Sequence, residues 1–254
     1  MTAAWDWEDP AALQARTDEF MQDRTAVDTL ELVADTPLLG RDQLAGLGIT
    51  GIEFAALKTA HPAGLGTDLT GLSCGGTATR RPGLYRVDGR SWFTELDIRE
   101  PLPFEDACVD WVYAEHLIEH VTMTEAVAWL AEVRRVLAPG GLLRLTTPDL
   151  RRYVEGYLHG DGFFAKHRGR MRKALGTVAP PMPQRGAFMF NQLFYLYGHR
   201  WIYDLDELTH ALAQAGFDPD AVRVCGFRTG RRPDVADLDQ MIRNDETIYI
   251  EIDR

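Results

Sequence analysis

The sequence predicts an α/β fold built on a mostly parallel sheet, and three observations carry that reading. From Asp68 onward, short apolar runs alternate with turns and helices. A helix of about four turns lies between two strand candidates, and such a strand–helix–strand unit closes right-handed with its strands parallel. Several strand candidates end in glycine or a polar residue, at the edge where an open parallel sheet gathers its ligands.

Residues 1–65 read as an N-terminal helical cap. Asp18 to Val33 is charged and weakly amphipathic, and Gln43 to Ala60 is rich in Ala, Leu and Gly. The domain from 66 to 254 then supplies the strands. Leu69 to Leu72 is the first candidate, ending at Ser73-Cys74-Gly75-Gly76. Leu84 to Val87 ends at Asp88, Trp92 to Leu96 at Asp97, and Trp111 to Ala114 at Glu115-His116. The helix that follows opens on Thr122 and Glu125 in a capping-box pattern. Ala126, Leu130, Val133 and Leu137 repeat at helical spacing before Pro139-Gly140. Leu142 to Leu145 is the next strand, ending at Thr147-Pro148-Asp149. An insertion at about 151–200 breaks the rhythm; its stretch from Arg151 to Phe190, with Val178-Ala179-Pro180-Pro181, is too long for an ordinary connection. A helix starts at Asp204 with Leu205, Leu208 and Leu212 on one face and closes at Gly216. Ala221 to Phe227 and Thr247 to Ile252 are the last strands, and alternation in the latter predicts a half-buried one.

The 254 residues suffice for one large domain, and 45% apolar composition can fill its core. No apolar run reaches the ~18 residues of a membrane span. The start, Met1 to Asp9, lacks a signal-peptide pattern, so a cytoplasmic protein is expected. The net charge of −11 disfavours a nucleic-acid partner. The basic clusters at Arg168–Lys173 and Arg228–Arg232 read as solvated loop faces. Cys74, Cys108 and Cys225 form neither a disulfide framework nor a metal-ligand spacing, so no metal is expected.

The strand ends suit a nucleoside without a phosphate. Glycines admit close backbone approach, while Asp88 and Asp97 offer carboxylates for ribose hydroxyls and an adenine amino group. Each aspartate alone is equally a turn residue. No G-x-G-x-x-G joins a strand to a helix, which argues against a nicotinamide dehydrogenase.

The run Leu96-Asp97-Ile98-Arg99-Glu100-Pro101-Leu102-Pro103-Phe104, then Asp110, then Glu115-His116-Leu117-Ile118-Glu119-His120, resembles the class I S-adenosylmethionine-dependent methyltransferases, in particular their small-molecule branch. Val136 to Gly141 and Leu212 to Phe217 resemble the same family. The resemblance implies a doubly wound, Rossmann-like sheet of about seven strands with the last one antiparallel. The glycine motif is degenerate. Its preferred register is Gly71-Leu72-Ser73-Cys74-Gly75; a competing one, Gly51 to Leu57, makes Glu53 the acid and places Ala55 where a glycine belongs.

By resemblance, S-adenosyl-L-methionine is the cofactor. Ser73, Cys74 and Gly75 would bind it, Gly75 lying under its methionine part, Asp88 would hold the ribose, Asp97 and Ile98 would frame the adenine, and Glu115 and His116 would close near the sulfonium. Direct methyl displacement needs alignment above all, and a base only for acceptors that lose a proton. His116, His120 and His199 are the catalytic candidates. His199 lies in the aromatic run Tyr195 to Asp204, which resembles a lid, and Asp149, Tyr195, His199 and Tyr203 are the acceptor-binding candidates. The ordinary readings are a packing or capping role for His120, core packing for His199 and a helix cap for Asp149. The expected activity is methyl transfer to a small-molecule acceptor. The alternative is a methyltransferase-fold protein that does not methylate and serves as a cofactor-binding or partner subunit. A homodimer is left open.

Overall fold

The computed structural model describes residues 6–9, 11–12, 15, 24–35, 38–174 and 181–254. Its strands, in chain order, are β1 (Leu30–Ala34), β2 (Gly51–Phe54), β3 (Gly64–Asp68), β4 (Ser73–Cys74), β5 (Thr77–Ala78), β6 (Leu84–Val87), β7 (Ser91–Glu95), β8 (Val109–Glu115), β9 (Leu137–Pro148), β10 (Arg223–Cys225) and β11 (Thr247–Asp253). The longer helices are α1 (Arg41–Gly46), α2 (Met123–Val136), α3 (Leu150–His159), α4 (Phe163–Ala174), α5 (Gly186–Tyr195) and α6 (Leu205–Gln214).

Nine strands form one sheet in the order β1-β6-β7-β3-β2-β8-β9-β11-β10. The central strands β7, β3, β2, β8 and β9 are parallel. Both margins are antiparallel: β1 and β6 on one side, β11 and β10 on the other. The α/β class and mostly parallel centre are therefore as expected, with more strands than the sequence suggested.

The clearest predicted helix is α2. Thr122 caps it, its hydroxyl accepting from the Glu125 amide while the Glu125 carboxylate accepts from the Thr122 amide at 2.7 Å. Ala126, Trp129, Leu130, Val133 and Val136 form its buried face. The chain passes from Val136 straight into β9, so Leu137 belongs to the strand. With Leu208, Ala211 and Leu212 of α6, this face packs on Ile52, Phe54, Val112, Ala114, Leu143 and Leu145. The alternate residues Trp111, Tyr113 and Leu142 face the other side and pack with Val235. On that side the Arg144 guanidinium, fully buried, donates from Nε to Asp239 at 2.9 Å and from Nη1 to Glu251 at 3.0 Å. Tyr249 and Glu251 are buried too, so β11 is covered on both faces rather than half-buried.

Other expectations are corrected. Residues 1–65 are not wholly helical: β1, β2 and the first residues of β3 fall there. In the Asp18–Val33 reading, residues 18–23 lie outside the described residues, and Leu30 to Val33 is strand. Leu69–Leu72 is not a strand; β3 ends one residue earlier, at Asp68. The insertion holds α3, α4 and α5, while Val178 to Pro180 lies outside the described residues. Tyr153, Phe163 and Leu193 give it an apolar cluster of its own. Among the described residues, no helix is long and apolar enough to cross a membrane.

Candidate functional site

The chain runs from β2 outward through β3 to β7, then returns to place β8 on the opposite side of β2. The direction of winding reverses between β2 and β8, and the carboxyl ends of strands flanking such a reversal leave a crevice. A cleft of about 180 Å³ lies there. Ala55 enters it from the end of β2, Thr67 and Asp68 from β3, Asp97 and Ile98 from the turn after β7, and Leu117 and His120 from the turn after β8. Glu125 and Arg200 complete its rim.

The loop after β2 has an unusual backbone. Ala55 and Leu57 have φ of 54° and 49°, a left-handed conformation that glycine adopts far more easily. The Leu57 side chain packs with Leu72, Val87 and Phe93, while Ala55 borders the cleft. Close approach of this loop to β3 requires glycine at position 66, where a Cβ would stand 3.0 Å from the Thr59 amide nitrogen. This loop follows a central strand, so the competing register, Gly51 to Leu57, reaches the cleft.

The preferred register does not. Ser73 and Cys74 form one arm of a separate two-stranded hairpin, with Gly75 at its tip. That hairpin leans on the N-terminal segment, the Val27 amide donating to the Ser73 carbonyl at 2.9 Å and the Cys74 thiol to the Asp28 carbonyl at 3.2 Å. None of the three borders the cleft.

Asp88 is also displaced. β6 runs antiparallel to β7, so its carboxyl end lies at the amino edge of the central strands, opposite the cleft. Its carboxylate accepts from the amides of Asp28 and Thr29 at 2.9 and 3.1 Å, and the Thr29 amide leads the causes that hold its pKa low. This geometry is that of a turn aspartate, the ordinary reading. Asp68 instead ends the strand next to β2. Burial raises its pKa, against the Thr70 amide that donates to it.

Asp97 and Ile98 lie where expected. The Asp97 carboxylate is held below its usual range chiefly by hydrogen bonds from Arg99, whose Nε donates at 2.9 Å. Arg99 is half exposed to solvent. Glu115 ends β8 but turns away from the cleft, accepting from the Gln240 amide at 2.9 Å. His116 is buried and does not line the cleft, its Nε2 2.8 Å from the Thr247 hydroxyl, and burial drives its pKa well below the imidazole range. Glu119, with no exposed surface, faces His116 Nδ1 at 3.4 Å, and burial pushes its pKa up to about 8.

His120 borders the cleft and meets His199 edge to face, ring centroids 4.8 Å apart. His199 reaches it because the Arg200 amide donates to the Glu119 carbonyl at 2.7 Å, tying the two segments together. Asp149 caps α3, accepting from the Arg151 amide, and so takes its ordinary reading. Tyr195 is exposed beside Trp7 and Arg185 in a different surface cavity. Tyr203 is fully buried in the core. The structure thus gathers Asp97, Ile98 and His120 at the cleft, with His199 against His120 and His116 buried beside Glu119. It does not gather Ser73, Cys74, Gly75, Asp88, Glu115, Asp149, Tyr195 or Tyr203 there.

Sequence reasoning passed over Asp68 and Arg200, and met the buried Glu53 only as the acid of the competing register. The Glu53 carboxylate accepts from the Thr59 hydroxyl and from the His61 amide at 3.2 Å, yet burial raises its pKa to about 7. A raised carboxyl pKa means the folded state holds the proton more tightly than the unfolded chain. The associated stability is complete below the unfolded value and is lost as pH climbs through about 7. Glu53→Gln should therefore melt a few degrees above the parent protein at about pH 8, the gap narrowing towards about pH 4. Calorimetric melting across that range checks it; a gap independent of pH would refute the assignment.

Residues 45–145 match the model of a family described as "Methyltransferase domain". This segment runs from the end of α1 into β9 and includes every strand end that borders the cleft. Among solved structures, the chain is similar to the CurJ carbon methyltransferase, at 14% identity and TM-score 0.41 over 81% of this chain and 48% of that one. It is similar to PigF, solved with SAH, at 12% and 0.36 over 64% and 35%. It is also similar to an S-adenosylmethionine-dependent methyltransferase from Mesorhizobium loti, at 14% and 0.41 over 84% and 96%. The chain thus spans about half of the CurJ chain and about a third of the PigF chain. No curated protein matches.

Proposed function

We propose, from a chain whose residues 45–145 match the model of a methyltransferase domain, that it transfers a methyl group from S-adenosyl-L-methionine to a small-molecule acceptor. The observation that carries the proposal is the cleft at the winding reversal, bordered by Ala55, Asp68, Asp97 and Ile98. The residues present fit a nucleoside. Asp68 and Asp97 offer two carboxylates from adjacent strand ends, Ile98 offers an apolar surface for a flat base, and the loop at Ala55 brings backbone close.

S-adenosylmethionine would supply an activated methyl group whose leaving group departs neutral. What remains for this chain is alignment and exclusion of water. Asp68 and Asp97 would orient the nucleoside; His120 and Arg200, on the opposite rim, would face the acceptor. His199, braced through its Nδ1 against the Leu193 carbonyl at 2.6 Å, would hold the His120 ring in place. The insertion helices α3 to α5 would enclose the acceptor side.

The non-methylating alternative drew its support from the eroded glycine motif. That support weakens here, because the Leu57 side chain packs into an apolar cluster and Ala55 adds only a methyl group at the cleft border.

Titration calorimetry with S-adenosylhomocysteine tests the proposal. Asp97→Ala should weaken binding by at least about tenfold, some 1.4 kcal/mol, while Asp88→Ala, on the far edge of the sheet, should not change it. No binding to the parent protein, or equal losses from both substitutions, would overturn it.

A further inference from the structure

We propose that Glu119, His120 and His199 form a binding site for a divalent first-row transition-metal ion such as Zn2+, at the acceptor end of the cleft. One ligand atom from each lies within 4.8 Å of the others. A carboxylate with two imidazoles suits such a cation, and three protein ligands leave a coordination position open. His120 puts that position on the cleft border. The cysteine spacing could not reveal this site, since no cysteine takes part.

The groups behind the ligands are arranged as metal sites require. Nδ1 of His199 is 2.6 Å from the Leu193 carbonyl. A carbonyl only accepts, so Nδ1 carries the proton and Nε2 keeps its lone pair. One oxygen of Glu119 accepts from the Thr147 hydroxyl at 3.1 Å. The other, Oε1, is fully buried without a hydrogen-bond partner. Its neighbour His116 does not satisfy it. The Thr247 hydroxyl donates its one proton to the Arg243 carbonyl at 2.6 Å. His116 Nε2 must therefore donate to Thr247, leaving a lone pair on Nδ1 directed at Glu119, 3.4 Å away. In the ionised form that Glu119 must take to ligate a cation, that oxygen would have no donor, which is costly, and the cation removes the cost.

The site's use rests on the methyltransferase reading: its open position would anchor an acceptor oxygen or nitrogen near the transferable methyl group. Metal binding itself does not depend on that reading, and the experiment keeps the two apart. The full chain is stripped with a chelator, dialysed and titrated with Zn2+ against a chromophoric competitor; X-ray absorption then reads the ligands. Expected are about one Zn2+ per chain and two imidazoles in the coordination shell. Glu119→Gln and His199→Asn should each weaken binding about a hundredfold, since partners behind the ligands alone are worth about 10–100-fold. His210→Asn, at an exposed histidine, should leave it unchanged. Near-ultraviolet circular dichroism confirms that each variant is folded. Failure of the parent chain to bind Zn2+ above the His210 background, or unchanged affinity in folded His199→Asn, overturns the proposal. If S-adenosylhomocysteine still binds the stripped chain in that case, the metal proposal falls alone. If Zn2+ binds as expected and S-adenosylhomocysteine does not, the site stands and the methyltransferase reading falls.

Discussion

Replacing Arg144 with leucine will destabilise the protein by about 3–5 kcal/mol. The guanidinium has no exposed surface, and neither does its partner Asp239. It is bonded all round: Nε to Asp239 at 2.9 Å, Nη1 to Glu251 at 3.0 Å, Nη2 to Asp239 at 2.5 Å and to the Gly226 carbonyl at 3.1 Å. Removing it strands two buried carboxylates between β9, β11 and the segment that covers them. The penalty is chiefly that of uncompensated buried charge, which explains why the comparison must be with an exposed pair. Arg223 bridges Asp253 at 3.1 Å with both side chains about a third exposed, so Arg223→Leu should cost no more than about 1 kcal/mol. Urea denaturation of the two variants gives the contrast. Equal midpoint shifts would mean that burial of the Arg144 triad has been misjudged.

Gly51→Ala should cost about 3 kcal/mol, through overpacking rather than charge. Gly51 stands opposite Trp111 in the β2–β8 pair, and a Cβ there would lie 2.0 Å from the indole. The ring has little room to yield. It is fully buried, its Nε1 donates to the Thr50 hydroxyl at 3.0 Å, and the His61 ring packs against it at a tilt of 57°, centroids 4.6 Å apart. Because β2 delivers Ala55 to the cleft, the same substitution should weaken S-adenosylhomocysteine binding. Gly46→Ala is the control: nothing lies within 4 Å of its added Cβ, and helix propensity favours alanine by up to about 1 kcal/mol. Thermal melting that ranks the two variants alike would count against this account.

The elements legible in the sequence were those whose signals are local. Thr122 and Glu125 announce α2 because a capping box is a contact between neighbours, and Asp204 announces α6 in the same way. The block from Asp97 to His120 places half of the cleft. The other half was obscured by β2 and β3, whose residues Gly51-Ile52-Glu53-Phe54 and Gly64-Leu65-Gly66-Thr67-Asp68 show neither alternation nor a continuous apolar run. Gly51 answers to Trp111, distant in sequence, Gly64 and Gly66 to the loop that folds back just before them, and Glu53 is a carboxylate buried within a strand. Asp88 was misplaced for a different reason. Asp88-Gly89 is a turn signature between two short strands, and reading it as a hairpin would have reversed β6 and moved the aspartate to the far edge. His199 joins His120 only through the long insertion, so no spacing in the sequence could express their contact.

The turn after β2 has one further consequence. A glycine-built turn samples many shapes when empty, and a ligand must freeze it. Here Ala55 and Leu57 sit in a conformation that costs each of them about 1–2 kcal/mol relative to the right-handed basin. The surrounding fold offsets that cost, with the Leu57 side chain anchored among Leu72, Val87 and Phe93. The cradle is thus rigid beforehand, and a nucleoside entering it forfeits little chain entropy. Association should accordingly proceed with a small change in backbone hydrogen exchange at residues 55–58.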